Sequence, residues 1–210
     1  MIELFTTAFI TLAVIIDPPG CAPIFASLTS GTDAAHRRRM AFRSVAVAWC
    51  ILIFFAVLGE PLLNTLGISL SAFRLAGGIM LFMIALDMVF ERRTERREER
   101  AREIEGTPEA EDVSVFPMAI PMIAGPGSIA SIMLLTARAE GIGDSLVVLG
   151  AMTLVIALTF LALLAAGPLM KLIGAKLEAM ITRILGVILA ALAAQFVLDG
   201  LERSLPGLAG

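Results

Sequence analysis

The sequence predicts an all-α integral membrane protein. It has six transmembrane helices in two inverted three-helix repeats, with the first and fourth helices broken at mid-membrane. Three observations predict this. First, 58% of the 210 residues are hydrophobic and the mean hydropathy is +0.91, whereas globular domains are about 45–50% apolar even with glycine counted. Second, two helix-breaking clusters, Asp17-Pro18-Pro19-Gly20 and Gly125-Pro126-Gly127, interrupt apolar runs of spanning length, and both Pro19 to Pro126 and Gly20 to Gly127 are 107 residues apart. Third, thirteen of the sixteen basic residues fall in odd-numbered loops.

The six spans are expected at 4–28, 40–58, 70–90, 113–135, 146–166 and 180–198. A spanning helix needs about 20 apolar residues. Met1-Ile2-Glu3 offers no basic segment ahead of the first apolar run, so that run reads as a retained helix rather than a cleaved signal. Residues 1–90 form the first repeat, 91–112 a charged linker, and 113–210 the second repeat, all within one membrane domain. Cys21 and Cys50 lie in or beside apolar segments and suggest neither a disulfide framework nor a metal motif.

Charge sets the expected orientation. Arg37, Arg38, Arg39 and Arg43 occupy the first loop region. Arg92, Arg93, Arg96, Arg97, Arg100 and Arg102 occupy the third, and Lys171, Lys176 and Arg183 the fifth. Only Arg74, Arg138 and Arg203 fall on the other side. Lys and Arg concentrate in cytoplasmic loops, so the linker is expected in the cytoplasm and both termini in the periplasm. The alternating Arg and Glu of the linker resemble a solvated helix face rather than a nucleic-acid patch. A regulatory or partner-binding role is the other option.

The repeat extends beyond the breaks. Pro61 matches Pro168 and Gly67 matches Gly174 at the same offset of 107, and after a two-residue insertion Arg74 matches Arg183 and Gly77 matches Gly186. Three spans per half is an odd number, so the second half enters from the opposite side as an inverted repeat. The Pro- and Gly-containing segments 59–69 and 167–176 are expected as interfacial elbows.

The breaks carry the candidate chemistry. Proline removes a backbone donor and disrupts the preceding turn. Backbone that leaves helical geometry at membrane depth needs a polar cavity or protein contacts. A second half-helix starting at each break offers unsatisfied N–H groups and a positive dipole end, while the first half-helix ends in free carbonyls. That pairing suits a small zwitterion such as an amino acid. The candidate binding residues are Asp17, Pro18, Gly20, Gly125, Pro126, Gly127 and Ser128, with Ser128 also a plausible N-cap. Asp17 is the coupling-ion candidate, because a carboxylate within the bilayer is costly and functional by default. It could bind an ammonium, carry the coupled proton, or simply cap the broken backbone. Ser128 and Ser131 either face the same cavity or act as helix-packing glue.

Other residues carry less. Asp87 either reaches headgroup water or functions. Gln195 either packs between helices or meets substrate. Arg74 and Arg183 are either gates on opposite faces or snorkelling anchors. Gly186, Ala190 and Ala194 form a small stripe suited to close helix packing. His36, beside an Arg cluster, reads as solvated. The chain has one histidine, no H-E-x-x-H motif and no facing acidic pair, so neither an enzyme nor a bound metal or cofactor is expected.

DPPGCAPIF (residues 17–25) and AIPMIAGPGSI (residues 119–129), with six spans in two halves, resemble the MarC family. The resemblance covers nearly the whole chain. It implies a bacterial inner-membrane protein of the LysE-like transporter superfamily, moving small neutral amino acids such as glycine or alanine with protons. The alternatives are an exporter of another small solute or a membrane stress or assembly protein that transports nothing. The implied partners are an amino acid substrate and the lipid bilayer, with no nucleic acid and a homo-oligomer left open. Cys21 stands where the family often carries a polar residue after the first motif glycine.

Overall fold

The computed structural model describes residues 1–204 apart from 93, 94, 97 and 100–111, and describes 167–176 and 178 as backbone only. Most of the charged linker 91–112, including Arg93, Arg97, Arg100 and Arg102, therefore lies outside the described residues. So do the side chains of Pro168, Lys171, Gly174 and Lys176.

The described elements are all helical. They are α1 (Ile2–Ile16), α2 (Pro18–Leu28), α3 (Ala34–Thr65), α4 (Leu70–Val89), α5 (Ser114–Ile123), α6 (Pro126–Thr136), α7 (Ile142–Leu164) and α8 (Ala166–Ser204). Five segments are long and apolar enough to cross a membrane, and six if α5 and α6, bent by 53° about their junction, count as one span. Exposed Phe42, Phe54, Val57, Ile79, Leu86, Leu161, Ile184 and Val187 give the molecule an apolar exterior, the surface a lipid solvent calls for.

Local chemistry explains the helix ends. Asp33 starts α3 by accepting hydrogen bonds from the backbone N–H groups of Ala35 and His36, both at 2.8 Å. Ser69 caps α4 by accepting from Ala72 N–H at 3.2 Å. α5 is irregular because Phe116 and Ile120 each precede a proline and sit in extended backbone at φ −123° and −126°. That is where a residue before proline is pushed.

The elbow segments differ from expectation. α3 continues helically through Pro61 to Thr65, and the α8 backbone is helical from Ala166 onward. Pro168 falls in the first turn of α8, where a missing N–H forfeits no helical bond; only residues 66–69 turn the chain between α3 and α4.

α4 packs along α8, α1 and α2 along α7, and α3 against both α5 and α6. Trp49 of α3 donates to Thr153 Oγ1 of α7 at 3.0 Å. The apolar interior has two parts. One gathers Leu12, Phe25, Leu52, Met118 and Val155 around α1, α2, α3, α5 and α7. The other joins Ile15, Leu81, Met88, Leu189 and Phe196 between α4 and α8. The small-residue stripe of α8 is partly displaced. Gly186, Leu189, Ala193 and Phe196 are buried, whereas Ala194 is exposed. A Cβ on Gly186 would come within 2.9 Å of Met88 Cβ, which accounts for a glycine at this close helix approach.

Candidate functional site

At the first break, Asp17 takes the left-handed conformation (φ 58°, ψ 67°), ending α1 and capping α2 at once. Asp and Asn tolerate this geometry better than other side-chain-bearing residues. Pro18 and Pro19 open α2, where prolines cost no hydrogen bond. The Asp17 carboxylate, in a residue only 2% exposed, accepts from Gly20 N–H at 3.2 Å. A Cβ on Gly20 would lie 2.1 Å from Asp17 Oδ2, so the glycine is what lets the carboxylate fold back over the helix start.

At the second break, Gly125 rather than Ser128 is the N-cap of α6, with extended backbone and no side-chain cap. Gly125 precedes Pro126, which disfavours helical geometry at Gly125 and pre-sets the first helical φ. Ser128 lies one turn in, and its hydroxyl donates back across the break to Ile123 O at 2.7 Å. Cys21 makes the equivalent reach at the first break, its Sγ 3.4 Å from Ile16 O. At the end of each helix the match recurs, Thr29 Oγ1 donating to Phe25 O and Thr136 Oγ1 to Ile132 O at 2.7 and 2.9 Å.

A cavity of ≈ 390 Å³ adjoins the second break. Pro121, Met122, Gly125, Pro126, Gly127 and Ser128 form one wall. Met80, Met83, Ile84 and Asp87 form another, on a single α4 face by their helical spacing. Ile15 of α1 contributes from the first half, and Arg96 completes the lining. The Arg96 guanidinium pairs with the Asp87 carboxylate.

The structure thus brings together four of the expected site residues, Gly125, Pro126, Gly127 and Ser128. Asp17, Pro18 and Gly20 do not line this cavity, and neither does Ser131, whose buried hydroxyl has no hydrogen-bond partner. The breaks are still neighbours: a Cβ on Gly127 would lie 3.4 Å from Ile15 Cγ2. Asp87, in the last turn of α4, also lines the cavity. Only its register with Met80 and Ile84 was legible.

The ion pairs keep the two charge sets apart. Arg43 pairs with Asp112, Arg183 with Glu91, and Arg96 with Asp87, all within the odd-loop set. Arg138 pairs with Asp199 in the other set, while its guanidinium lies 4.8 Å from the Phe196 ring centroid. Gln195 donates to Asp199 Oδ1 at 2.7 Å and so orients that carboxylate. Arg74 is buried with its Nε unpartnered, whereas Arg183 is exposed, so these repeat-matched arginines occupy unlike surroundings.

Apolar helices of spanning length around a buried polar discontinuity define an integral membrane protein. The MarC family integral membrane protein model matches residues 2–205, and the chain belongs to the MarC family. It is 38% identical over 204 residues to a UPF0056 membrane protein of Methanocaldococcus jannaschii, covering 97% of this chain and 98% of that one. It is 35% identical to the UPF0056 membrane protein YvbG of Bacillus subtilis, with 98% of each chain covered. It is 32% identical to the UPF0056 inner membrane protein YhgN of Escherichia coli, covering 96% of this chain and 98% of that one. No solved structure matches the chain.

Proposed function

We propose that the protein is a secondary transporter of small neutral amino acids such as glycine and alanine, residing in a cell inner membrane and moving its substrate with protons. One observation carries the reading: the cavity at the second break combines an uncapped helix start with an ion pair of both signs. The N–H groups of Gly127 and Ser128 belong to the first turn of α6, where intrahelical partners are lacking, and a carboxylate suits that position. A volume of ≈ 390 Å³ is near the small end of ligand pockets, which favours a small solute.

The architecture behind this reading is an inverted repeat broken at mid-membrane. Its support is the matched hydrogen bonding of the breaks and a packing pattern preserved when the halves are exchanged: α1 and α2 on α7 correspond to α5 and α6 on α3, and α4 on α8 corresponds to itself. An inverted repeat works by alternating access around a fixed site. The first break, packed and self-capped, is the closed side of the state described; the second, with its cavity, is the open side. The segregated ion pairs support two charged faces, with the odd loops cytoplasmic and both termini periplasmic.

Counterflow of labelled glycine and alanine in proteoliposomes, with and without a pH gradient, tests the proposal. Exchange of either solute, accelerated by the gradient, is expected. If neither moves under any gradient, the reading fails.

A further inference from the structure

Asp87 is a carboxylate on the wall of the cavity, facing the same space as the start of α6. It lies on the α4 face that carries Met80 and Ile84, on a helix fixed by its long contact with α8. Its present partner, Arg96, comes from beyond the end of α4 and is two-thirds exposed, whereas Asp87 is only 22% exposed. A partly buried acid is therefore neutralised by a long, solvated cation. Such a pair can be exchanged: an ammonium arriving in the cavity can replace the guanidinium, which returns to water at little cost because exposed ion pairs are weak.

We infer that Asp87 is the substrate-ammonium site, and that Arg96 competes with the substrate for it. The inference rests on the transport reading and adds the residue that recognises the amino group. A zwitterion would then span the cavity, its carboxylate toward Gly127 and Ser128 and its ammonium on Asp87. The apolar side chains of Met80, Met83 and Ile84 line the same wall and offer no polar partner to a long polar side chain. Amines alone and carboxylates alone would each satisfy only one end.

The test is glycine counterflow in proteoliposomes for the wild type, Asp87→Asn, Asp87→Glu and Arg96→Gln, each first checked for a monodisperse profile in detergent. Asp87→Asn is expected to raise the glycine KM about tenfold or more, the scale of a lost hydrogen bond to a charged group. Asp87→Glu should recover part of it. Arg96→Gln should lower the KM several-fold, a gain that misfolding cannot produce. An unchanged KM in Asp87→Asn, or a raised or unchanged KM in Arg96→Gln, overturns the assignment even while wild-type exchange stands. Failure of the wild type to exchange glycine or alanine instead overturns the transport reading itself.

Discussion

The two breaks share a side-chain bonding pattern and differ in backbone and in what fills them: Asp17 is left-handed and itself caps α2, whereas Ala124 has φ −94° and ψ 58° and the N-cap of α6 is Gly125. Each opens an 11-residue helix with proline. In each, a side chain one turn in bonds back to the residue before the break, Cys21 to Ile16 and Ser128 to Ile123. The difference is Asp17 against Ala124. In the first break the chain supplies its own carboxylate to Gly20 N–H. In the second, the matching Gly127 lies in the wall of a cavity. The first break thus holds its own carboxylate at the helix start, and on the proposed reading a substrate carboxylate would take the comparable place at the second.

The largest effect should come from Gly125→Ala, whose Cβ would lie 2.3 Å from the backbone oxygen of Pro121. Backbone cannot yield as a side-chain end can, so loss of roughly 3 kcal/mol or more is expected, read as a collapsed melting transition in detergent. Gly127→Ala meets only side-chain ends, Ile84 Cδ1 at 2.6 Å, and should melt near the wild type. Equal melting of the two variants would contradict the described second break.

Transport separates the breaks next. Ala124→Asp places a carboxylate beside the start of α6, one residue ahead of its N-cap Gly125, and glycine exchange should fall about tenfold or more as that charge competes with the substrate carboxylate for the helix start. Asp17→Asn keeps a good capping residue in a tolerated left-handed geometry and should retain exchange and its pH dependence. Loss of pH dependence in Asp17→Asn would instead identify Asp17 as the coupling group.

A smaller effect tests the cap. Gly20→Ala should cost about 1–3 kcal/mol by displacing a buried carboxylate from its donor. In an Asp17→Gly background the same change should cost much less, giving a coupling measurable by a double-mutant cycle. Additivity would show that the carboxylate and the glycine do not depend on each other.

The smallest expected effect lies at the charged face. Asp112 sits below the ordinary carboxylate value: burial pushes it up, but hydrogen bonds from Ser114 and the Arg43 guanidinium outweigh that. A depressed folded-state value adds stability above the unfolded carboxylate pKa of about 4, and that stability is lost as pH falls through the lower folded value. Asp112→Asn should remove this acid-range slope from the melting profile and leave neutral-pH exchange intact. An unchanged slope would mean that the Ser114 hydrogen bonds and the Arg43 pair do not hold Asp112 down in solution.

Several of these features were readable beforehand. Hydropathy located the spans, because about 20 apolar residues have no other economical environment. The offset of 107 matched Gly20 to Gly127 and Cys21 to Ser128, although the shared bonding of Cys21 and Ser128 was visible only in the fold. Ser128 was misassigned as the N-cap because the extended backbone of Gly125, set by Pro126, already starts α6 one turn earlier. That Asp87 lines the cavity is not legible in the sequence, because it depends on how α4 is rotated against α8.

What the sequence by itself determined is that the chain leaves helical geometry at Asp17-Pro18 and at Gly125-Pro126, though not at Pro61, and which residues prefer lipid. Proline's missing donor and the cost of unpaired backbone in hydrocarbon act locally and do not wait for a fold. Only the tertiary structure decided that one break is sealed and the other open. That choice depends on whether a carboxylate three residues away can reach a helix start, and on which face of a distant helix closes over it. The first is a local contact set by the left-handed backbone of Asp17; the second is a matter of packing between segments far apart in the chain.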